Sequence, residues 1–324
     1  MKFVPTYKLD IIPDAEFNTR ISDVEKKLAE CRTTGNFNAF DNTKIYYEFF
    51  LSEGNRASIV IVHGLSEFTK KFYEFIYYML NQGYNLFVYD QRCHGLSGRL
   101  TNHRDLLHVD RFDDYVRDLN QFMDEVVAPK TDKPIYLYAH SMGCAVAALY
   151  LARYREKIKK AILSAPMFMP VVDMVPQQVA RHGLAVAKAI LGKKRKFSLT
   201  KEFNPDVSYR ASHGTSRVRF EYNMNLRREN PFYQSTPMSL GWVYNSLTVG
   251  GEIFKRKIID NINAKILIIS AENDTMVENE PQHLFAKRCK NCELFEIKGE
   301  THALLASNEK TLGEMMQRIL SFYD

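Results

Sequence analysis

Three residues far apart in the chain have the types needed to activate a hydroxyl group. Ser141 lies in Tyr138-Ala139-His140-Ser141-Met142-Gly143-Cys144, Asp274 in Ala271-Glu272-Asn273-Asp274, and His302 in Gly299-Glu300-Thr301-His302. A serine hydroxyl is a weak nucleophile at neutral pH and needs a base to take its proton. Histidine serves when a carboxylate fixes its tautomer. Glu272 is the rival acid, while His182, His213 and His283 read as solvated surface histidines. Around Ser141 the positions two before and two after are Ala139 and Gly143. Small residues there permit the tight strand-to-helix turn that lifts a nucleophile above a sheet edge.

Such a turn needs a strand before it and a helix after it. Ile135–Tyr138 is apolar and β-prone, and Ala145–Ala152 is rich in small and apolar residues. Asp274 follows the apolar run Lys265–Ser270, and His302 follows Glu293–Lys298. The order Ser, Asp, His, each after a strand, is the order one architecture requires. The run Ala57–Val62 ends in His63-Gly64-Leu65-Ser66-Glu67. A loop after that strand supplies one of two amides to a developing oxyanion, the other coming from the residue after the nucleophile. The expected donors are therefore the backbone amides of Leu65 and Met142. His63, Gly64, Glu67 and His140 flank the same point and are the candidate substrate contacts.

The remaining elements alternate. Helices are expected over Ala15–Cys31, Lys70–Asn81, Asp110–Val127 and Lys310–Phe322, and strands over Asn36–Phe40, Lys44–Phe50, Tyr84–Tyr89 and Lys160–Ser164. Short apolar strands between helices predict an α/β fold with a mostly parallel, doubly wound sheet. The alternation stops between Ala165 and Trp242, where Pro166, Pro170 and Pro176 interrupt the chain. A helix is expected from Pro176, at its first position, to Leu191, with Val179, Ala180, Leu184, Ala187 and Leu191 on one side. The expected division is an N-terminal extension over 1–35, a core over 36–165 and 243–324, and an inserted helical cap over 166–242.

The 324 residues carry a net charge of +6, with 45% hydrophobic and 25% charged residues, as in an ordinary globular protein. Met167–Leu240 holds twelve Lys and Arg against five Asp and Glu, a surplus of +7, so the remainder is nearly neutral. Within it Lys193-Lys194-Arg195-Lys196 is a tight run, suited to weak contact with an anionic membrane surface. No stretch approaches 18 apolar residues, and the first ten lack an apolar signal core, so a cytoplasmic location is expected. Five scattered cysteines suit reduced thiols, and Cys289-Lys290-Asn291-Cys292 reads as two incidental ones. No cluster has metal-ligand spacing and no Gly-rich phosphate loop is present, so no metal and no cofactor are expected. The basic segment lacks the pattern of a nucleic-acid module, so no nucleic-acid partner is expected.

Taken together, His63-Gly64 with Glu67, Asp90-x-Arg92-x-x-Gly95-x-Ser97, His140-Ser141-Met142-Gly143, Asp274 and His302 resemble the monoacylglycerol-lipase-like branch of the α/β-hydrolase fold. Within that branch the chain is similar to the bacterial inner-membrane lysophospholipases. His108–Val116, Ala139–Gly143 and Ser164-Ala165-Pro166-Met167-Phe168 carry the most specific part. The likeness runs from about Phe37 onward and is thinnest across the insertion. Ala139 and Cys93 stand where the family has glycine. The resemblance implies a serine ester hydrolase that releases a fatty acid from a lysophospholipid through an acyl-enzyme on Ser141. The alternatives are a monoacylglycerol lipase or broad carboxylesterase and, in another class, an inactive lipid- or partner-binding relative. Peripheral contact with the inner face of the cell membrane is also expected.

Overall fold

The computed structural model describes residues 1–172, 176–211 and 214–324, and the counts below refer to these. His213 therefore lies outside the described residues. The chain opens with α1 (Phe17–Cys31), then β1 (Arg32–Asn38) and β2 (Lys44–Phe50) as an antiparallel pair. Next come β3 (Ser58–Val62), α2 (Tyr73–Asn81), β4 (Asn85–Tyr89) and α3 (Asp113–Phe122), the last continued by a π-helical turn over Met123–Val127. β5 (Ile135–His140), α4 (Met142–Arg153) and β6 (Lys160–Ser164) follow. Between β6 and β7 (Lys265–Ala271) lie α5 (Gln177–Leu191), α6 (Arg217–Glu229), α7 (Leu240–Ile253) and the short α8 (Arg256–Ile259). α9 (Asn279–Arg288), β8 (Cys292–Ile297) and α10 (Glu309–Tyr323) complete the chain.

The eight strands form one sheet in the order β1-β2-β4-β3-β5-β6-β7-β8. β4, β3, β5, β6, β7 and β8 run parallel, and β2 pairs with β4 antiparallel. Every residue of β3 and β4 is buried, as for strands covered on both faces. One apolar layer sets Val60, Phe87, Leu137 and Ile268 against α3 and α4. The other sets Ile59, Ile61, Leu86 and Ile269 against α1, α2 and α10.

The boundary expected at residue 35 falls inside β1. α1 buries Phe17, Ile21, Val24 and Leu28 in the second layer, and β1 extends the sheet edge in full register with β2. The strand Arg32-Thr33-Thr34-Gly35-Asn36-Phe37-Asn38 has little apolar alternation because only Phe37 is buried. Its pairing, not its burial, makes it a strand. In α5, Pro176 is the N-cap residue with extended backbone, one position before the expected place. Ala180, Leu184 and Ala187 face Leu240 and Leu247 of α7. Val179 and Leu191, expected on that same face, remain 59% and 62% exposed, and Val179 borders the cavity between α5 and α7.

Candidate active site

The sheet presents its strand ends to one cleft, the usual ligand position in open α/β sheets. Ser141 follows β5, Asp274 follows β7 and His302 follows β8. The Ser141 backbone has φ 51° and ψ −118°, a strained conformation for a residue with a side chain. Its N–H donates to the Ser164 carbonyl at 2.9 Å, and its own carbonyl accepts from the amides of Cys144 and Met167 at 2.9 and 3.1 Å. These bonds hold the turn from both sides. Gly143 has no room for a side chain: a Cβ there would stand 2.6 Å from the His63 carbonyl oxygen and closer still to that of Val62. Ala139, by contrast, sits fully buried in β5 between Val62 and Leu163, where its methyl packs into the core.

The structure brings Ser141, His302 and Asp274 together. His302 Nε2 is 2.8 Å from Ser141 Oγ, and His302 Nδ1 is 2.7 Å from Asp274 Oδ2. With Nδ1–H donating to the carboxylate, Nε2 is left as the acceptor for the serine proton. Asp274 Oδ1 accepts from the amides of Met276 and Val277 at 2.8 and 3.1 Å. Burial alone would push the Asp274 pKa up. The His302 hydrogen bond and charge, with those two amides, outweigh burial and hold it below the ordinary value.

Glu272 does not reach His302. Its Oε2 accepts from the Gly299 amide at 2.9 Å and its Oε1 from Lys298 at 3.0 Å, so it anchors the loop that carries His302. Glu300 ties the same loop to the insertion through the Thr215 hydroxyl at 2.9 Å and to Ser307 at 3.0 Å. Sequence reasoning missed Glu300, whose neighbour Thr215 is remote in the chain. His182 is exposed and bonds only to the Gln178 carbonyl in its own helix, and His283 pairs with Glu296 at 3.2 Å.

Met142 opens α4, so its amide has no acceptor one turn back within the helix. The Leu65 amide also donates to no acceptor among the described residues. Gly64 lies close to the elbow: a Cβ on it would come 3.0 Å from Ser141 Cβ and 2.9 Å from Glu67 Oε2. The His63 and Glu67 side chains, expected to touch substrate, are spent on the loop. The Gln91 amide donates to His63 Nε2 at 2.9 Å, leaving Nδ1–H for the Gly64 carbonyl at 2.7 Å. Burial pulls the His63 pKa down to about 4, in keeping with this neutral tautomer. Glu67 Oε2 accepts from the Gly64 amide at 2.6 Å, and Oε1 pairs with Lys71. Burial opposes ionisation of Glu67, yet the charges of Lys71 and His140 bring its pKa to about 2. His140 is buried beside His302, with ring centroids 5.1 Å apart, and burial lowers its pKa to about 4.

Cys93, where the family has glycine, adopts φ 63°. Glycine takes that conformation without strain, whereas a side chain there costs roughly 1–2 kcal/mol. Gly95 is irreplaceable in the same turn, because its φ is 48° and a Cβ would strike the Asp90 carboxylate. Among the described residues no group of three or more His, Cys, Asp and Glu could hold a metal ion, and the five cysteines are free.

Lysophospholipase L2 of Escherichia coli K12 is 27% identical over 314 residues, covering 90% of this chain and 88% of its own. Monoglyceride lipase of Saccharomyces cerevisiae is 22% identical over 296 residues, covering 82% and 85%. The crystal structure of a soluble variant of that yeast lipase, in complex with a substrate analogue, superposes with a TM-score of 0.70 at 17% identity. It covers 91% of this chain and 95% of the other. The family described as serine aminopeptidase, S33, matches residues 53–311. With that match spanning most of its length, the chain belongs to the serine aminopeptidase S33 family, on the α/β-hydrolase fold.

Proposed function

We propose that this chain is a carboxylic ester hydrolase that releases the fatty acid from a lysophospholipid, with Ser141 as nucleophile, His302 as base and acid, and Asp274 as orienter. The observation that carries the reading is the unbroken relay from Ser141 Oγ to His302 Nε2 and from His302 Nδ1 to Asp274. Ser141 Oγ attacks the acyl carbonyl while His302 takes its proton. The carbonyl oxygen becomes an oxyanion held by the Leu65 and Met142 amides. Collapse of that intermediate breaks the ester bond, and His302 hands the proton to the departing glycerol oxygen. Water, deprotonated by His302, then attacks the acyl-enzyme and releases the acid, returning the proton to Ser141.

The segment over 166–242 acts as a cap in this reading. α5, α7 and the strand-like stretch near Phe197 line an apolar cavity of about 520 Å³, with Leu184, Phe197, Trp242 and Leu247 on its walls. That chemistry suits a single hydrocarbon chain. The outward side of α5 exposes Val186, Ile190 and Leu191, an apolar face suited to the outer layer of a bilayer, while Val179 and Leu199, also exposed, line the cavity. The basic run contributes less. Lys193 pairs with Asp110 at 2.9 Å, Lys194 donates to the Leu100 carbonyl at 2.7 Å and Lys196 pairs with Glu202, which leaves Arg195. Among the described residues no helix is long and apolar enough to cross a membrane, so peripheral contact through α5 is the proposed mode.

The test is a panel of lysophosphatidylethanolamine, lysophosphatidylcholine and monoacylglycerol of equal chain length, with wild type and Ser141→Ala. Turnover of a lysophospholipid by wild type alone supports the reading. Equal turnover by Ser141→Ala would refute it, and turnover of monoacylglycerol alone would return the enzyme to the neutral-lipid alternative.

A further inference from the structure

A second cavity, of about 330 Å³, is bordered by residues next in sequence to Leu65 and His302. Ser66 and Ala303, which adjoin Leu65 and His302 in sequence, line one side of it; α6 supplies Asn223 and Arg227, and Lys71 closes it. Among the described residues no carboxylate lines this space. Lys71 is already neutralised by Glu67. Arg227 is not: among the described residues it has no carboxylate within ion-pair distance. Its Nε donates to the Tyr233 carbonyl at 3.1 Å and its Nη2 to the Thr236 hydroxyl at 2.6 Å, while Nη1 has no acceptor among the described residues.

Two neighbours show how unusual this is. Arg219, eight residues earlier on the same helix, is buried and fully compensated by Glu74 at 2.6 Å and by Asp14. Arg99, also without a carboxylate, spends its guanidinium on the carbonyls of Arg104, His94, Ser97, Gly95 and Phe232. Arg227 is half-buried with donors to spare; its guanidinium lies over the Phe203 ring at 4.4 Å but meets no carboxylate among the described residues, and burial pulls its pKa down to about 10. Beside it Asn223 has a buried Oδ1 with no partner, while its Nδ2 is occupied by the Arg219 carbonyl at 3.0 Å. The cavity thus offers unused guanidinium donors and one unused acceptor. Its floor is stiff, since Phe68 and Tyr233 stack face to face at 3.9 Å and Tyr233 holds Arg227.

We propose that this cavity is a head-group subsite, in which Arg227 binds the phosphodiester of a glycerophospholipid and Asn223 Oδ1 accepts from a head-group N–H or O–H. The inference rests on the reading of Ser141 as nucleophile and His302 as proton donor. The leaving oxygen must face His302, so the glycerol and the phosphate three carbons away fall on the His302 side, where Ala303 borders the cavity. A guanidinium with free N–H donors matches a phosphate better than it matches the hydroxyls of a monoacylglycerol. Arg227 is in this view a specificity-determining residue, and it touches no reacting atom.

The experiment measures kcat/KM for lysophosphatidylethanolamine and for monoacylglycerol of the same chain, in wild type, Arg227→Gln and Arg227→Lys. The ratio of the two constants should fall about ten- to a hundredfold in Arg227→Gln, the worth of a charge-assisted bond, with part of it regained in Arg227→Lys. Equal loss on both substrates would make Arg227 only a tether for Tyr233 and overturn the proposal. A second measurement uses wild type and needs no variant. sn-Glycerol 3-phosphate should inhibit hydrolysis of a short soluble ester, glycerol should not, and inorganic phosphate should be weaker than the glycerol phosphate. No inhibition by sn-glycerol 3-phosphate overturns the subsite, and equal inhibition by inorganic phosphate overturns its assignment to a head group. Should wild type inhibit as expected yet turn over no lysophospholipid, the subsite stands and the substrate reading alone fails.

Discussion

Gly143→Ala tests whether the turn at Ser141 is held by the geometry described. The added methyl would meet three backbone atoms at less than ordinary contact: the carbonyl oxygens of Val62 and His63 and the carbonyl carbon of Val62, the last at 2.8 Å. These belong to the C-terminal end of β3, which is hydrogen-bonded to β4 and β5 and buried throughout, so they cannot swing aside as a side chain would. The elbow itself must retreat by roughly 1 Å, at an overpacking cost of about 1–3 kcal/mol. For a chain of this size that lowers the melting temperature by about 2–6 °C. The effect on turnover should be larger. Retreat carries the Met142 amide and Ser141 Oγ away from the reacting carbonyl, and a misplacement of that size costs ~10²-fold, with loss of an oxyanion donor costing ~10²–10³. The assay pairs thermal melting with kcat on a soluble ester. The control is Gly251→Ala, at an exposed site in α7 where a Cβ meets nothing within 4 Å. It should leave turnover alone and gain about 0.5–1 kcal/mol. If Gly143→Ala kept turnover within threefold of wild type, the close approach of β3 to the elbow could not be what positions the nucleophile.

Further outcomes follow from the same geometry. Asp274→Asn should lower kcat by ~10⁴, because an amide cannot hold His302 in the tautomer that leaves Nε2 free; a loss under tenfold would show that Asp274 does not set it. His63→Asn should destabilise the protein at pH 7.5, and the gap from wild type should narrow by up to about 1.4 kcal/mol per pH unit on acidification. The sign follows from linkage: the folded pKa is about 4 and the unfolded one about 6.5, so between them the unfolded wild type binds the extra proton and loses its advantage as pH falls. Melting curves from pH 7.5 to 4.5 read this, and a constant gap would contradict a neutral His63. Val186→Ser with Ile190→Ser should reduce co-sedimentation with anionic vesicles at both low and high salt, because the contact buries apolar surface; a loss confined to low salt would point back to Arg195 and its neighbours.

Much of the site was legible because its demands are local. Gly143 is required by a contact one strand away, and the positions of Ser141, Asp274 and His302 at strand ends follow from short apolar runs that end abruptly. The mostly parallel sheet follows from the same alternation, whereas the strand order, with β4 between β2 and β3, does not. What was not legible depends on partners remote in sequence. Glu67, read as a substrate contact, is turned inward by Gly64 and Lys71. Glu272, weighed as a rival acid, is drawn off by the Gly299 amide. A strand is expected from Asn36, and only the pairing with β2 shows that β1 begins four residues earlier, among the polar residues from Arg32.

Charge shows the difference most clearly. Counted along the sequence, the surplus of +7 over Met167–Leu240 looks like one basic surface. In the fold that surplus divides into three kinds of charge. Lys193, Lys196 and Arg219 are paired with acids, three of them lying outside the stretch that was counted: Asp110, Asp14 and Glu74. Arg181, Arg195, Lys201, Arg210 and Arg217 are exposed and face solvent, where a single charge is worth little. Arg227 alone among those named here is half-buried, lines the cavity that Ala303 borders, and has no acid to meet it among the described residues. Its guanidinium lies over the Phe203 ring at 4.4 Å and donates to Tyr233 and Thr236, none of which carries a negative charge; in the proposed subsite the ligand brings one. On the proposed reading the phosphate of a lysophospholipid supplies that charge and a monoacylglycerol does not, so discrimination between these substrates would fall to one guanidinium rather than to the net charge of the segment.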